Sequence, residues 1–164
     1  MSQTNCQTKC QTNCLTAAMI TVGMKHEARV RFDHDQVRTF CELANDRNAI
    51  HHDAAAARLR FPEVADIVVP GGLLQIAITG LFGTEFPGDG SLGLTFEPER
   101  MRKPVCPNDE VVITLEVKRI RAGIIEFHVA VDDAAGHPIS GAVARVLAPD
   151  DNYRRWWEAQ RAAD

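Results

Sequence analysis

Residues 73–83 read Leu-Leu-Gln-Ile-Ala-Ile-Thr-Gly-Leu-Phe-Gly (LLQIAITGLFG), and this pattern decides the fold. A surface helix confines its apolar side chains to one stripe, whereas here they fall nearly all the way round, so the stretch predicts a buried central helix. Gly71 and Gly72 stand at its start. The free N–H groups and positive dipole end of a helix start favour a developing oxyanion, and small residues there also permit close packing. Both uses stay open on the residues alone.

Downstream, the pattern changes from helical to extended. Pro-Gly-Asp-Gly-Ser at 87–91 is turn chemistry, and Leu92, Leu94 and Phe96 alternate. Longer β-rich runs follow at 111–120, 124–131 and 139–147, separated by turn signals at 121–123 and 132–137. That spacing predicts an antiparallel meander. Residues 150–162 predict a helix with Tyr153, Trp156, Trp157 and Gln160 on one side. The two Trp are expected to pack on the core, or else to cover a sheet edge or a partner.

Upstream, the ordered part is expected to begin at 22–32, with His26, Ala28, Val30 and Phe32 on one side of a strand. Asp33 with Gln36 three residues on is a capping-box pattern, and Val37, Phe40, Cys41 and Ala44 follow at helical spacing. A helix over 35–44 ends where Asn45 takes a left-handed cap. Residues 53–59 are Ala-rich and predict a short helix that Pro62 stops. Helices come first and an antiparallel sheet follows, so the class is α+β.

Between those helices lies the chemistry. Residues 44–57 read ANDRNAIHHDAAAA, with Asp46 five positions before His51. A carboxylate and an imidazole this close can share one water or one substrate proton, with the imidazole changing charge near neutral pH. For Asp46 the plainer reading is a cap or turn just past a helix end, and for His52 a structural neighbour. His26, His34, His128 and His137 show no partner in the sequence, and Arg100, Arg102 and Lys103 form a basic loop.

The chain has 164 residues, 45% hydrophobic and 24% charged, enough for one domain with a real core. A net charge of -4 leaves no basic excess for phosphates and speaks against a nucleic-acid role. Of five cysteines, Cys6, Cys10 and Cys14 recur every fourth residue in QTNC-QTKC-QTNC. As a helical stripe these thiols could bind a soft metal, but the polar repeat reads as a disordered low-complexity tail over 1–22, leaving 23–164 as the domain. Cys41 and Cys106 read as reduced thiols of a cytoplasmic protein. No apolar run approaches the ~18 residues of a membrane span, and 15–24 lacks the basic flank of a secretory signal.

Residues 45–53, Asn-Asp-Arg-Asn-Ala-Ile-His-His-Asp, resemble the Gly-Asp-x-Asn-Pro-Ile-His-x-Asp signature of the MaoC-like (R)-specific enoyl-CoA hydratases and 3-hydroxyacyl dehydratases. The likeness continues through Gly72-Leu73, through GTEFPGDGSLGLTFEPERMRKPVCPNDEVVITLEV at 83–117 and through SGAVARVLAP at 140–149. It implies a hotdog fold, a curved antiparallel sheet wrapped around a buried helix. It also implies a hydro-lyase acting on a 2-enoyl or (R)-3-hydroxyacyl thioester of coenzyme A or of acyl carrier protein. On this resemblance Asp46 and His51 hold the water, the Gly72 N–H faces the thioester carbonyl, and Asn48 supports the loop. Arg100, Arg102 and Lys103 would meet coenzyme A phosphates or a carrier surface. Homodimers are implied, with an acyl pocket along the central helix and no metal or redox cofactor.

The signature departs at Asn45 for Gly and at Ala49 for Pro; Gly71 stands where a His often precedes the oxyanion glycine, and the connection from 61 to 72 is longer than usual. That connection, RFPEVADIVVPGGLLQIA at 60–77, also resembles the dehydratases of fatty acid synthesis, whose catalytic His and Glu would fall at Arg60 and Ile76. Neither residue can serve as that acid/base pair, so a catalytic reading rests on Asp46 and His51. The alternatives are a hotdog binding or dimerisation protein without catalysis, and a hotdog thioesterase.

Overall fold

The computed structural model describes residues 12–162. Strand β1 (Lys25–Val30) leads into α1 (His34–Ala44), a 3-10 turn (Ala49–His51), α2 (Ala54–Arg60) and α3 (Gly71–Thr84). Then come β2 (Leu92–Pro98), β3 (Val111–Arg121), β4 (Ile124–Asp133), β5 (Pro138–Leu147) and α4 (Asp151–Ala162). The five strands form one sheet in the order β1-β3-β4-β5-β2, with antiparallel neighbours throughout. The α+β reading, the meander and the α3 assignment all hold.

Alternation explains the core. Val111, Ile113, Leu115 and Val117 of β3 point inward with Ile125, Phe127, Val129 and Val131 of β4, all fully buried. Leu74, Ile78, Leu81 and Phe82 of α3 pack on that face, joined by Val37 and Cys41 of α1. Burying each such large side chain contributes about 1.5–3 kcal/mol, so the inner face of the sheet and one side of α3 carry the fold. Phe82 and Phe127 meet with ring centroids 5.0 Å apart.

Two expectations change. The helix α3 is apolar all round, yet within one chain only one side is covered: Ile76 is 51% exposed, and Thr79, Gly80 and Gly83 are open. The stretch 12–22, expected to belong to a disordered tail, is also ordered. The first eleven residues, including Cys6 and Cys10, lie outside the described residues, but from Thr12 the chain is packed.

Asn13 and Leu15 donate to the carbonyls of Thr84 and Pro87, Asp89 donates back to Asn13, and Arg154 of α4 donates to the Cys14 carbonyl at 2.6 Å. Cys14 is buried, and burial pushes its thiol pKa up, so it is not a thiolate of an open cysteine stripe. The polar repeat misled because main-chain hydrogen bonds, which every residue type offers, hold this strap. Helix α4 packs on the strap rather than on the core: Trp157 donates to Thr12 Oγ1, while Trp156 is 53% exposed.

Candidate active site

The capping box forms as the sequence predicts: Asp33 accepts from the Gln36 N–H and the Gln36 side chain accepts from the Asp33 N–H. The helix α1 ends at Asn45, whose φ of 51° and ψ of 35° are left-handed. Asn is one of the few residues besides Gly that adopt this geometry at modest cost, so the cap survives the change from the family's glycine. The Asp46 N–H then donates to the Cys41 carbonyl at 2.9 Å, which roots the carboxylate in a packed helix.

Asp46 Oδ1 accepts from the Asn48 N–H at 2.9 Å, leaving Oδ2 free to face His51. His51 Nε2 lies 3.8 Å from Asp46 Oδ2, with the imidazole 10% and the carboxylate 31% exposed. This is too long for a direct hydrogen bond, but one oxygen atom can lie within hydrogen-bond reach of both. His51 Nδ1 is 2.6 Å from the Val68 carbonyl. A carbonyl only accepts, so Nδ1 carries a proton, and in the neutral form of the ring the lone pair is then on Nε2, the nitrogen that faces Asp46.

The ring is held from a second direction, since the Val68 N–H donates to the Ile50 carbonyl at 2.9 Å. His52 Nε2 donates to the Asp46 carbonyl at 2.9 Å, the structural use expected for it. Asn48 supports the loop through its main chain: besides its N–H, its carbonyl accepts from the His51 N–H at 3.0 Å. It makes no side-chain capping bond to the 3-10 turn.

Gly72 is the second residue of α3, where an N–H has no acceptor within the helix. A Cβ on Gly72 would stand 2.8 Å from Phe40 Cζ, so any larger residue here forces the Phe40 ring to shift. Phe40 belongs to the last turns of α1, just before Asp46, and Val68 precedes Gly72 by four residues, at most about 14 Å of chain. Through Phe40 the start of α3 touches α1, and through Val68 the segment that leads into α3 touches His51.

The basic loop is largely engaged. Arg102 pairs with Glu99 at 2.7 Å and Lys103 with Asp133, while Arg100 has no carboxylate partner among the described residues. Of the competing positions, Arg60 lies over the Phe61 ring and Ile76 is exposed. Sequence reasoning missed Val68 and Phe40, and it left three histidines unpaired that bond Glu85 (His26), Asp66 (His34) and Asp133 (His137). A carbonyl acceptor leaves no trace in residue type, so Val68 had no signal to read.

A hollow of about 340 Å³ runs between the second half of α3 and β2, lined by Thr79, Phe82, Leu94, Phe96 and Val146 among others. Asp46 and His51 are not in its lining. Among the described residues no group of three or more His, Cys, Asp or Glu is arranged to hold a metal ion. No helix there is long and apolar enough to cross a membrane.

A curved antiparallel sheet of five strands packed against one long apolar helix defines a hotdog protein. No family model matches the chain. It is 35% identical over 107 residues to the (R)-specific enoyl-CoA hydratase of Aeromonas caviae, covering 65% of this chain and 77% of that protein. The chain belongs to this family of MaoC-like hotdog proteins.

Solved structures agree. An R-hydratase from Pseudomonas aeruginosa in the unliganded form superposes with a TM-score of 0.76 at 25% identity, covering 84% of this chain and 88% of that one. The Aeromonas caviae (R)-hydratase involved in PHA biosynthesis gives 0.71 at 30%, covering 79% and 98%. A MaoC-like dehydratase from Rhodospirillum rubrum, at 20% identity, shares the fold with a TM-score of 0.65 over 83% and 98%.

Proposed function

We propose that this protein is a hydro-lyase that adds water to a 2-enoyl thioester and, in reverse, removes it from the (R)-3-hydroxyacyl thioester. The observation that carries the reading is the 3.8 Å approach of Asp46 Oδ2 and His51 Nε2, with His51 held in the tautomer that leaves Nε2 open. The family likeness supports the same chemistry. A water between these atoms loses a proton to Nε2 as its oxygen attacks the β-carbon. The pair then returns a proton to the α-carbon from the same side, while first-turn N–H groups of α3, Gly72 foremost, stabilise the enolate oxygen.

The acyl chain would lie along α3, in the direction of the hollow at Thr79 and Phe82. Arg100 is the cation this reading retains for a coenzyme A phosphate or an acidic carrier, since Arg102 and Lys103 already face carboxylates. A homodimer is supported by the uncovered side of α3 at Ile76 and by the free outer edge of β2, where Leu92 and Leu94 are exposed. A cytoplasmic setting is supported by Cys41 and Cys106, neither of which is in a disulfide.

The test is incubation with crotonyl-CoA and with a carrier-bound enoyl chain. Loss of enoyl absorbance, abolished in Asp46→Asn with the fold intact, is the expected result. Release of free thiol would make the protein a thioesterase, and no turnover of either substrate would leave a binding protein.

A further inference from the structure

The connection from α2 to α3, residues 61–70, contains neither helix nor strand, yet it carries the Val68 carbonyl that fixes the His51 ring. A carbonyl in such a stretch stays in place only as firmly as the residues on either side of it. On the C-terminal side, Val69 is buried in the main core and donates its N–H to the Val105 carbonyl at 2.8 Å. On the other side stands Asp66, two residues before Val68.

Both oxygens of Asp66 are engaged. Oδ1 accepts from the Ile67 N–H at 2.7 Å, and Oδ2 lies 2.9 Å from His34 Nε2. A carboxylate only accepts, so His34 Nε2 carries a proton whether the ring is neutral or charged. His34 is the first residue of α1. Among the described residues this is the one hydrogen bond between the connection and α1.

Helix α1 is eleven residues long, about 16 Å from end to end. Its last turn roots Asp46 through the Cys41 carbonyl, and its first residue holds Asp66. The carboxylate and the imidazole thus take their places from opposite ends of one rigid element. The hydrogen bond from Val68 to Ile50 cannot do the same, because Ile50 belongs to the same short turn as His51 and moves with it. The small apolar cluster that packs Val68 with Ala57, Val64 and Ile50 has no member from α1. Nor does stability explain the contact: His34 and Asp66 are 52% and 40% exposed, and an exposed pair adds little to the fold as a whole.

We propose that Asp66 and His34 are positioning residues for the acid/imidazole pair. Their tie keeps the Val68 carbonyl against His51 Nδ1, so that the lone pair of the neutral ring stays on Nε2 and faces Asp46. Neither residue touches substrate. The inference rests on the hydro-lyase reading, which is what gives a free Nε2 its use. Without the tie, Val68 is held from one side only, and the ring gains the tautomer with its proton on Nε2, which cannot take a proton from water there.

Nitrogen NMR of histidine-labelled full-length chain tests this beside steady-state kinetics on crotonyl-CoA, with the His51 signals assigned from His51→Gln. The wild type is expected to show the neutral ring protonated on Nδ1. In Asp66→Ala and in His34→Ala the Nε2-protonated form should appear, and kcat should fall about tenfold with KM unchanged. The double variant should lose no more than either single one, because both remove the same tie. His34→Gln, which keeps a donor, should restore both the tautomer and the rate. Thermal melts are expected to stay close to wild type; should Asp66→Ala fail to fold, His34→Ala against His34→Gln makes the same comparison. A wild-type tautomer in the alanine variants, whatever their rate, overturns the proposal. So do losses that multiply in the double variant, or a glutamine variant as impaired as the alanine one. If the wild type leaves crotonyl-CoA untouched, the hydro-lyase reading fails and the spectra alone decide: a mixed tautomer in the alanine variants upholds the tie, and an unchanged one overturns it.

Discussion

His51 Nδ1 lies 2.6 Å from the carbonyl oxygen of Val68, seventeen residues along the chain, and this contact sets which nitrogen of the ring is free. The loop holding Asp46 and the segment leading into α3 are thereby tied through the imidazole itself. Replacing His51 by Gln keeps an N–H donor for Val68 but removes the basic ring nitrogen that faces Asp46. The expected result is a fall in kcat of about 10²–10⁴-fold with KM little changed. In the wild type, nitrogen NMR of the neutral ring should show the proton on Nδ1; a proton on Nε2 would contradict the assignment.

His52 tests how the loop manages with Ala49 where the signature it resembles has proline. Its Nε2–H closes the loop onto the Asp46 carbonyl at 2.9 Å. One such hydrogen bond contributes about 1 kcal/mol, so His52→Leu should lower kcat roughly fivefold with KM unchanged. His52→Gln, which keeps a donor, should restore most of the rate. Equal losses in both variants would show that the ring's bulk, not its N–H, matters.

Gly72 packs against Phe40 and, on the proposed reading, faces the substrate carbonyl, and substitution can separate the two. Gly72→Ala drives a methyl into the Phe40 ring and should cost about 1–3 kcal/mol in urea unfolding, with turnover reduced. Alanine retains the N–H, so trimming the obstacle with Phe40→Leu should recover both stability and turnover. Recovery of stability alone would show that the substrate itself needs the bare glycine.

Much of this was legible because local rules agreed. Asp33 and Gln36 announce the start of α1, Asn45 its end, and strict alternation in β3, β4 and β5 their inner faces. What stayed hidden depends on main-chain atoms and long-range pairing. Neither the Val68 carbonyl nor the strap at Asn13 and Leu15 shows in residue type. The bulge before Arg119 cannot be read from a strand whose parity simply breaks, and the ion pair of Lys103 joins its loop to Asp133, a partner that only the fold brings near. The Asp46–His51 pair was legible because six consecutive residues of one short loop hold both members.

Ile76 marks where the sequence and the single chain differ most. An apolar side chain half-exposed on a helix that is apolar all round calls for a cover, and a second copy is the cover this reading supplies. Ile76→Glu should shift the protein from dimer to monomer in sedimentation, with a loss of turnover if the acyl pocket is completed across the interface. An unchanged mass for the variant would show that this face is not the one that is buried.

Asp133 provides a pH-dependent test away from the site. The Lys103 ammonium first, then the His137 N–H, holds its carboxyl far below the ordinary value of 3.8. A carboxyl whose pKa is depressed by folding stabilises the fold fully above its unfolded value. As the pH falls below that value, the unfolded chain takes up the proton first, and the stabilisation is lost on the way down to the folded pKa. Asp133→Asn retains an oxygen for the N–H groups of Ala135 and His137 but cannot ionise. Its stability should therefore fall below wild type at pH 5–7, and the two curves should converge as the pH drops below about 3. Lys103→Met should shift the curve in the same direction by a smaller amount, since the two N–H donors remain. Curves that stay parallel down to pH 2 would mean that the Lys103–Asp133 pair contributes nothing to folding.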